Sequence, residues 1–214
     1  IQGRYRGSLI GLLWSFLTPV FMLAVYTFVF SVVFNARWST ANESKMEFAL
    51  VLFAGLIVFN LFSECVNRAP SLILSNVNYV KKVVFPLEIL PIVALGSAFF
   101  HMLASLFVWL LCYAIFFGLP SASALLLPLI LLPLVLIVVG LSSILASMGV
   151  YLRDVSQLVG TLTTALMFLS PIFYPASALP LEYQKILVIN PLFPIIEQVR
   201  GVLMKGEVPD LYFL

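Results

Sequence analysis

The single histidine, His101, lies in a long apolar run, with no carboxylate or serine near it in sequence at the spacing of a catalytic triad or a metal set. A neutral imidazole packed between helices is the plainer reading, although a histidine inside an apolar span is a functional candidate by default. Cys65 and Cys112 fall in different apolar runs without metal-ligand spacing, so both read as small packed thiols rather than as a disulfide or half of a zinc site. Neither G-x-x-x-x-G-K-[ST] nor G-x-G-x-x-G occurs, so the chain does not hold ATP in a glycine-rich loop. Glu197 and Arg200, three apart, are spaced to pair on one face of a short helix, and Arg153 beside Asp154 to bridge to a neighbouring helix or a partner. Local stabilisation accounts for both pairs.

The aromatic residues, 14% of the chain, carry a different kind of chemistry. Trp14, Phe21 and Phe28 recur at seven-residue intervals, and Tyr26, Phe30 and Phe34 at four-residue intervals, so the two sets lie on different faces of one helix. Lipid contact and helix packing explain one such face. A second leaves room for a surface along which a ligand slides by stacking, and sugar rings suit it because their C–H faces pack on aromatic rings.

The elements that position these residues follow from composition. Of the 214 residues 63% are hydrophobic and 9% charged, with mean hydropathy +1.15, too few polar groups to cover a water-soluble globule. The net charge of +2, without a continuous basic stripe, excludes a nucleic-acid binder. No charged residue occurs between Gly7 and Ala36, nor across the 64 positions from Ile89 to Leu152, and the second run is long enough for two membrane spans. The first run is too long for a cleaved signal peptide. An all-α, polytopic membrane protein is therefore expected, with spans over about 9–34, 48–63, 89–117, 124–151 and 155–169. The second is short, so it extends past Glu64 or turns that acid toward the protein interior. Pro19 is a candidate kink in the first, GLPSAS at 118–123 a tight turn, and Ser143 with Ser147, or Ser142 with Ala146, a close-packing helix face. Residues 170–205, broken by Pro171, Pro175, Pro180, Pro191 and Pro194 yet apolar, read as short broken helices dipping into the membrane. A chain starting at Ile1 and ending in LYFL is expected to lack a beginning and to cut a sixth span short.

The segment SNVNYVKKVVFPLEILP interrupts the apolar pattern. Pro86 suits the first turn of the third span and Glu88 the positive end of its dipole. Upstream, VNYVKKVV is expected to form a short helix on the inner membrane surface, with Lys81 and Lys82 toward headgroups, water or a partner. With the N-terminus inside, inner segments hold Arg4, Arg6, Arg68, Lys81, Lys82 and Arg153 against Arg37, Lys45, Lys185, Arg200 and Lys205 outside, six against five. The lysines and arginines closest to span ends favour a cytoplasmic N-terminus.

RYRGSLIGLLWSFLTPVFMLAVYTFVFSVVF, LSNVNYVKKVVFPLEILP, VYLRDVSQLV, LSPIFYP and NPLFPIIEQVR, in this order, resemble the membrane subunit of bacterial ATP-binding-cassette (ABC) exporters of polysaccharides, nearest the permeases for lipid-linked O-antigen. The resemblance covers essentially the whole chain. It implies a six-span ABC exporter permease in the bacterial inner membrane, of which residues 1–214 are a single transmembrane domain with five spans and a re-entrant gate. It also implies a homodimer and two copies of a separate cytoplasmic ATPase that carries ATP and Mg, this chain holding no cofactor. Residues 75–86 would be the coupling helix region, with Asn78, Tyr79, Lys81, Lys82 and Phe85 at the ATPase. Trp14, Phe21, Tyr26, Phe28 and Phe30 in the first span and Phe168 in the fifth would line the channel. Residues 170–205 would form an outer gate, with Pro171, Phe173 and Tyr174 in its first part and Asn190 and Glu197 in its second. Capsular polysaccharide, teichoic acid or a small lipid or drug are alternative cargoes; ATPase stimulation by polymer rather than by small amphiphiles separates the last. A membrane-embedded glycosyltransferase is the alternative of another class, and polymer synthesis by the isolated protein would mark it.

Overall fold

A computed structural model describes residues 13–29, 45–77, 86–180, 182, 184, 187 and 189–210. The described residues are helical or irregular, and none of them is in a strand. The α-helices are α1 (Trp14–Tyr26), α2 (Lys45–Arg68), α3 (Leu72–Ser75), α4 (Ile89–Phe117), α5 (Leu127–Tyr151), α6 (Val155–Leu169) and α7 (Leu192–Arg200). A 3-10 turn at Ala69–Ser71 joins α2 to α3, so the helical stretch Met46–Ser75 runs on as one apolar rod.

Three of these stretches are long and apolar enough to cross a membrane: Met46–Ser75, Ile89–Phe117 and Ala122–Tyr151; Trp14–Val29 and Val155–Leu169 are shorter apolar helices. The ends of α4 and α6 coincide with the third and fifth expected spans. Pro86 differs in detail, since it sits three residues before α4. Its carbonyl accepts from the Ile89 N–H at 3.2 Å, which makes it the corner leading into the helix rather than part of the first turn. α1 continues through Pro19, where the N–H that would bond the Ser15 carbonyl is missing; both residues are buried.

Hydropathy does not decide which helix is central. Ala122–Tyr151 has mean hydropathy 3.0 and only 28% of its apolar stretch buried, while Met46–Ser75 has 2.1 and 83% buried. In lipid this is reasonable, because a leucine gains little by leaving hydrocarbon for protein; close packing and hydrogen bonds select the contacts. α2 supplies both. Ala49, Ala54 and Gly55 let neighbours approach, and every residue from Phe48 to Phe59 is buried. α2 packs most extensively on α4, then on α7, α6, α5 and α1. The fully buried Trp109 of α4 donates from Nε1 to the Leu50 carbonyl of α2 at 2.9 Å and stacks on Tyr113 with centroids 4.9 Å apart. Trp109→Phe keeps an aromatic ring but loses the bond and part of the buried indole volume. We expect a loss of about 2–3 kcal/mol, read as a lowered unfolding midpoint of the solubilised protein.

The small-residue face of α5 is the one through Ser142, Ala146 and Gly149, all buried; Ser143 instead turns its hydroxyl back to the Val139 carbonyl at 2.8 Å. That face meets the Ala69–Ser71 turn. A Cβ on Gly149 would stand 2.7 Å from the Pro70 carbonyl carbon and nearer still to its oxygen, so the two backbones touch.

Candidate functional site

Two clusters of polar groups stand out in this apolar frame. The first joins residues 170–175, which follow α6, to α7. Asn190 begins it: its Oδ1 accepts the Leu192 N–H at 3.0 Å, satisfying one orphan donor at the start of α7, while its Nδ2 donates to Ser170 Oγ at 2.8 Å. Pro191 and Pro194 fall at the helix entrance, where a missing N–H costs nothing. Ser170 in turn donates to the Leu166 carbonyl at 2.7 Å. Phe173 stacks on Phe168 with centroids 5.8 Å apart, and the Tyr174 hydroxyl reaches the Phe168 carbonyl at 3.3 Å, so this segment folds back over the end of α6.

Arg200 is the centre of this cluster. Its side chain is buried, its Nε donates to the Val51 carbonyl of α2 at 3.1 Å, and its two terminal nitrogens donate to the Pro171 carbonyl at 2.6 Å and the Ile172 carbonyl at 2.9 Å. The expected pairing with Glu197 exists at 3.0 Å, but Glu197 is 40% exposed and contributes the smaller part. Burial lowers the guanidinium pKa to about 10 and Glu197 opposes that shift, so the group stays cationic at physiological pH. Gly55 provides the space: a Cβ there would stand 2.6 Å from Nη2. One arginine thus ties α2, the residues after α6 and α7 together. The sequence signal for it, a lone cation in the apolar run IIEQVRGVL, reads equally well as a surface pair.

The second cluster corrects the expectation for His101. A carboxylate does meet it: His101 Nδ1 lies 3.1 and 2.9 Å from the two oxygens of Glu64. One proton lies between the two groups whether the imidazole or the carboxyl carries it. Both side chains are about one-fifth exposed. Arg68, one turn along α2, approaches Glu64 at 3.6 Å and is half-exposed. The partners are 37 residues apart on two helices, a pairing invisible to local spacing. α2 does continue past Glu64, as it must for a span of ordinary length, and Glu64 also faces inward. Glu64 and His101 line a cleft of about 450 Å³ between α1, α2 and α4, together with Trp14, Tyr26, Asn60 and Ser105.

The sequence-derived site residues distribute as follows. Pro171 and Glu197 meet Arg200 and Asn190 meets Ser170, whereas Phe173 and Tyr174 pack back on Phe168 at the end of α6. Trp14 and Tyr26 line the cleft, whereas Phe21 and Phe28 are 65% and 61% exposed and lie outside it. Phe168, 61% exposed, is on α6, which packs chiefly on α2, while α1 packs chiefly on α4. Phe30, Asn78, Tyr79, Lys81, Lys82 and Phe85 lie outside the described residues. Arg153 and Asp154 are exposed in the turn between α5 and α6.

Comparison with known proteins bears on the whole chain. An O-antigen export system permease protein RfbA of Myxococcus xanthus is 28% identical over 212 residues, covering 98% of this chain and 79% of its own length. A protein of the same name from Klebsiella pneumoniae is 26% identical over 208 residues, covering 96% and 77%. The polysialic acid transport protein KpsM of Escherichia coli is 24% identical over 213 residues, covering 98% and 80%. Residues 1–204 match the family described as ABC-2 type transporter. With that match running through every described span and both polar clusters, the chain belongs to the ABC-2 type transporter family.

Proposed function

We propose that this chain is the channel-forming transmembrane subunit of an ATP-driven exporter that moves a lipid-linked polysaccharide, of the O-antigen kind, across the bacterial inner membrane. The observation that carries this reading is similarity over nearly the whole chain to relatives named for O-antigen export and for polysialic acid transport. The second relative type favours capsular polysaccharide as the alternative cargo. Membership in a transporter family argues against the glycosyltransferase alternative. The working unit is two copies of this chain with two cytoplasmic ATPase subunits, which bring ATP and Mg. The exposed aromatic faces of α1 and α6 line the path only when a second copy stands opposite, since one copy holds them on different neighbours.

A cytoplasmic N-terminus is supported by one correction to the charge count. Arg200 is buried against three carbonyls and does not sit in a headgroup layer, so the outer side keeps four cations against six inside. The coupling region at 75–86 then lies inside and the Arg200 cluster outside. α2, 24 residues or about 36 Å long, runs between them. Its inner end continues through Ala69–Ser71 and α3 toward the coupling region, and Val51 near its outer end is bonded to Arg200. Closure of the ATPase pair on ATP pushes the coupling region, and α2 passes that displacement as a rigid rod to the outer cluster.

Lys81→Glu with Lys82→Glu is expected to weaken ATPase association and export without preventing membrane insertion. Complex yield and surface polymer measure it; wild-type values for both would leave the lysines at the headgroup layer. The reading as a whole is tested by co-purification from native membranes: an ATPase and a glycolipid are expected with the chain, and their absence would reject it.

A further inference from the structure

Two clefts open between the long helices, and they differ in chemistry. The groove between α4 and α5, about 720 Å³, is walled by side chains such as Phe99, Leu103, Leu132 and Val135, which acyl chains fill without help. The cleft between α1, α2 and α4 holds Asn60, Glu64, His101 and Ser105, with Trp14 and Tyr26 beside them. Its depth sharpens the contrast. His101 is 12 residues into α4, about 18 Å from the start of the helix, which is near the middle of a hydrocarbon core of roughly 30 Å. Ionisable and amide groups at that depth are costly unless water or a hydrogen-bonding solute meets them.

The arrangement also restricts which solute. Glu64 and His101 place a carboxyl and an imidazole in the lining, and Arg68 contacts Glu64 from outside the cleft at 3.6 Å. A ring with adjacent hydroxyls suits these groups: carboxyl oxygens accept from hydroxyls, and Asn60 supplies both donor and acceptor. Ser105 Oγ donates to the His101 carbonyl at 2.9 Å, which leaves its oxygen as an acceptor. Trp14, 45% exposed, supplies an aromatic ring in the lining on which the C–H face of such a ligand can pack, and Tyr26 lines the cleft 12 residues, about 18 Å, further along α1.

We propose that this cleft is a binding site for one hydroxyl-rich sugar ring of the exported polymer, with Glu64 as its hydrogen-bonding partner, His101 as the residue that positions Glu64, and Trp14 as the aromatic wall. The inference rests on the export reading given above. The binding is local and weak, one ring at a time, so the polymer pauses here without being trapped.

The test places a photo-crosslinking amino acid at Ser105, and separately at Asn60, in the full complex in cells making their own polysaccharide. Adducts are detected as polymer-length, periodate-reactive material on this chain. Leu103, on the lipid side of the same helix, is the control. Adducts are expected at Ser105 and Asn60 and not at Leu103. Glu64→Gln should lower their yield roughly tenfold, as loss of the carboxyl that His101 positions implies. His101→Gln, which can still donate to the carboxylate, should retain more yield than His101→Leu. In complexes of normal yield, absence of adducts at both cleft positions, or an adduct yield that Glu64→Gln leaves unchanged, overturns the site. Surface polymer that persists in cells lacking the chain overturns the export reading itself, so the two failures are distinguishable.

Discussion

Arg200→Ala is expected to destabilise the protein by about 3–5 kcal/mol and to abolish export, the largest effect expected of a single side-chain truncation among the described residues. The reason is what the guanidinium leaves behind. The Val51, Pro171 and Ile172 carbonyls all lose a charged donor in a site that water does not readily enter. Arg200→Lys should recover little, because one ammonium cannot reproduce a planar fork that donates in three directions at once. Glu197→Gln, by contrast, should cost no more than about 1 kcal/mol, since that carboxylate is partly solvated. Gly55→Ala should fall between them, at about 1–3 kcal/mol, because its Cβ pushes the guanidinium off its carbonyls without removing it. Unfolding midpoints of the solubilised protein, ordered Glu197→Gln, Gly55→Ala, Arg200→Ala, check the series. An Arg200→Ala protein as stable as wild type would show that the cluster is not held by this residue.

Gly149→Val is expected to separate ATP hydrolysis from export. Gly149 of α5 meets the Pro70 carbonyl backbone to backbone, so a branched side chain must displace the Ala69–Ser71 turn. Overpacking of this kind costs about 1–3 kcal/mol. Its functional consequence is larger than its stability cost, because that turn joins α2 to the segment proposed to meet the ATPase. In the assembled complex, basal ATPase activity should persist while polymer-stimulated activity and surface polymer fall by at least about tenfold, the effect of roughly 1.4 kcal/mol of lost coupling. Gly149→Val with normal export would place the coupling route elsewhere.

What could be read from the sequence was set by local chemistry. α4 and α6 end where expected because their boundaries are written in charge and turn residues: Glu88 before Ile89, Gly118 after Phe117, Asp154 before Val155, and Ser170-Pro171 after Leu169. α2 was the harder helix. Glu64 looks like a boundary, yet the helix passes through it because His101 of α4 receives the carboxylate. Which serine face of α5 packs inward was equally undetermined, since both have small residues four apart; contact with the Pro70 backbone selects Ser142, Ala146 and Gly149. The proline-rich segment was legible as short helices, but not the residue that organises it. Arg200 looks like half of a three-spaced pair with Glu197, and only the fold brings Val51, 149 residues away, to its side. Interactions that depend on long sequence separation are the ones that spacing rules cannot reach.

Export is tested most directly by where the polymer lies when this chain is depleted. In a strain in which its expression can be switched off, surface polysaccharide is expected to disappear. Polymer should then accumulate on the cytoplasmic face, hidden from periodate in intact spheroplasts and exposed after lysis. Restoring the wild-type chain should bring it back to the surface, and restoring Arg200→Ala should not. Loss of polymer from both faces on depletion would instead mark a synthase, and unchanged surface display would contradict a role in polysaccharide export.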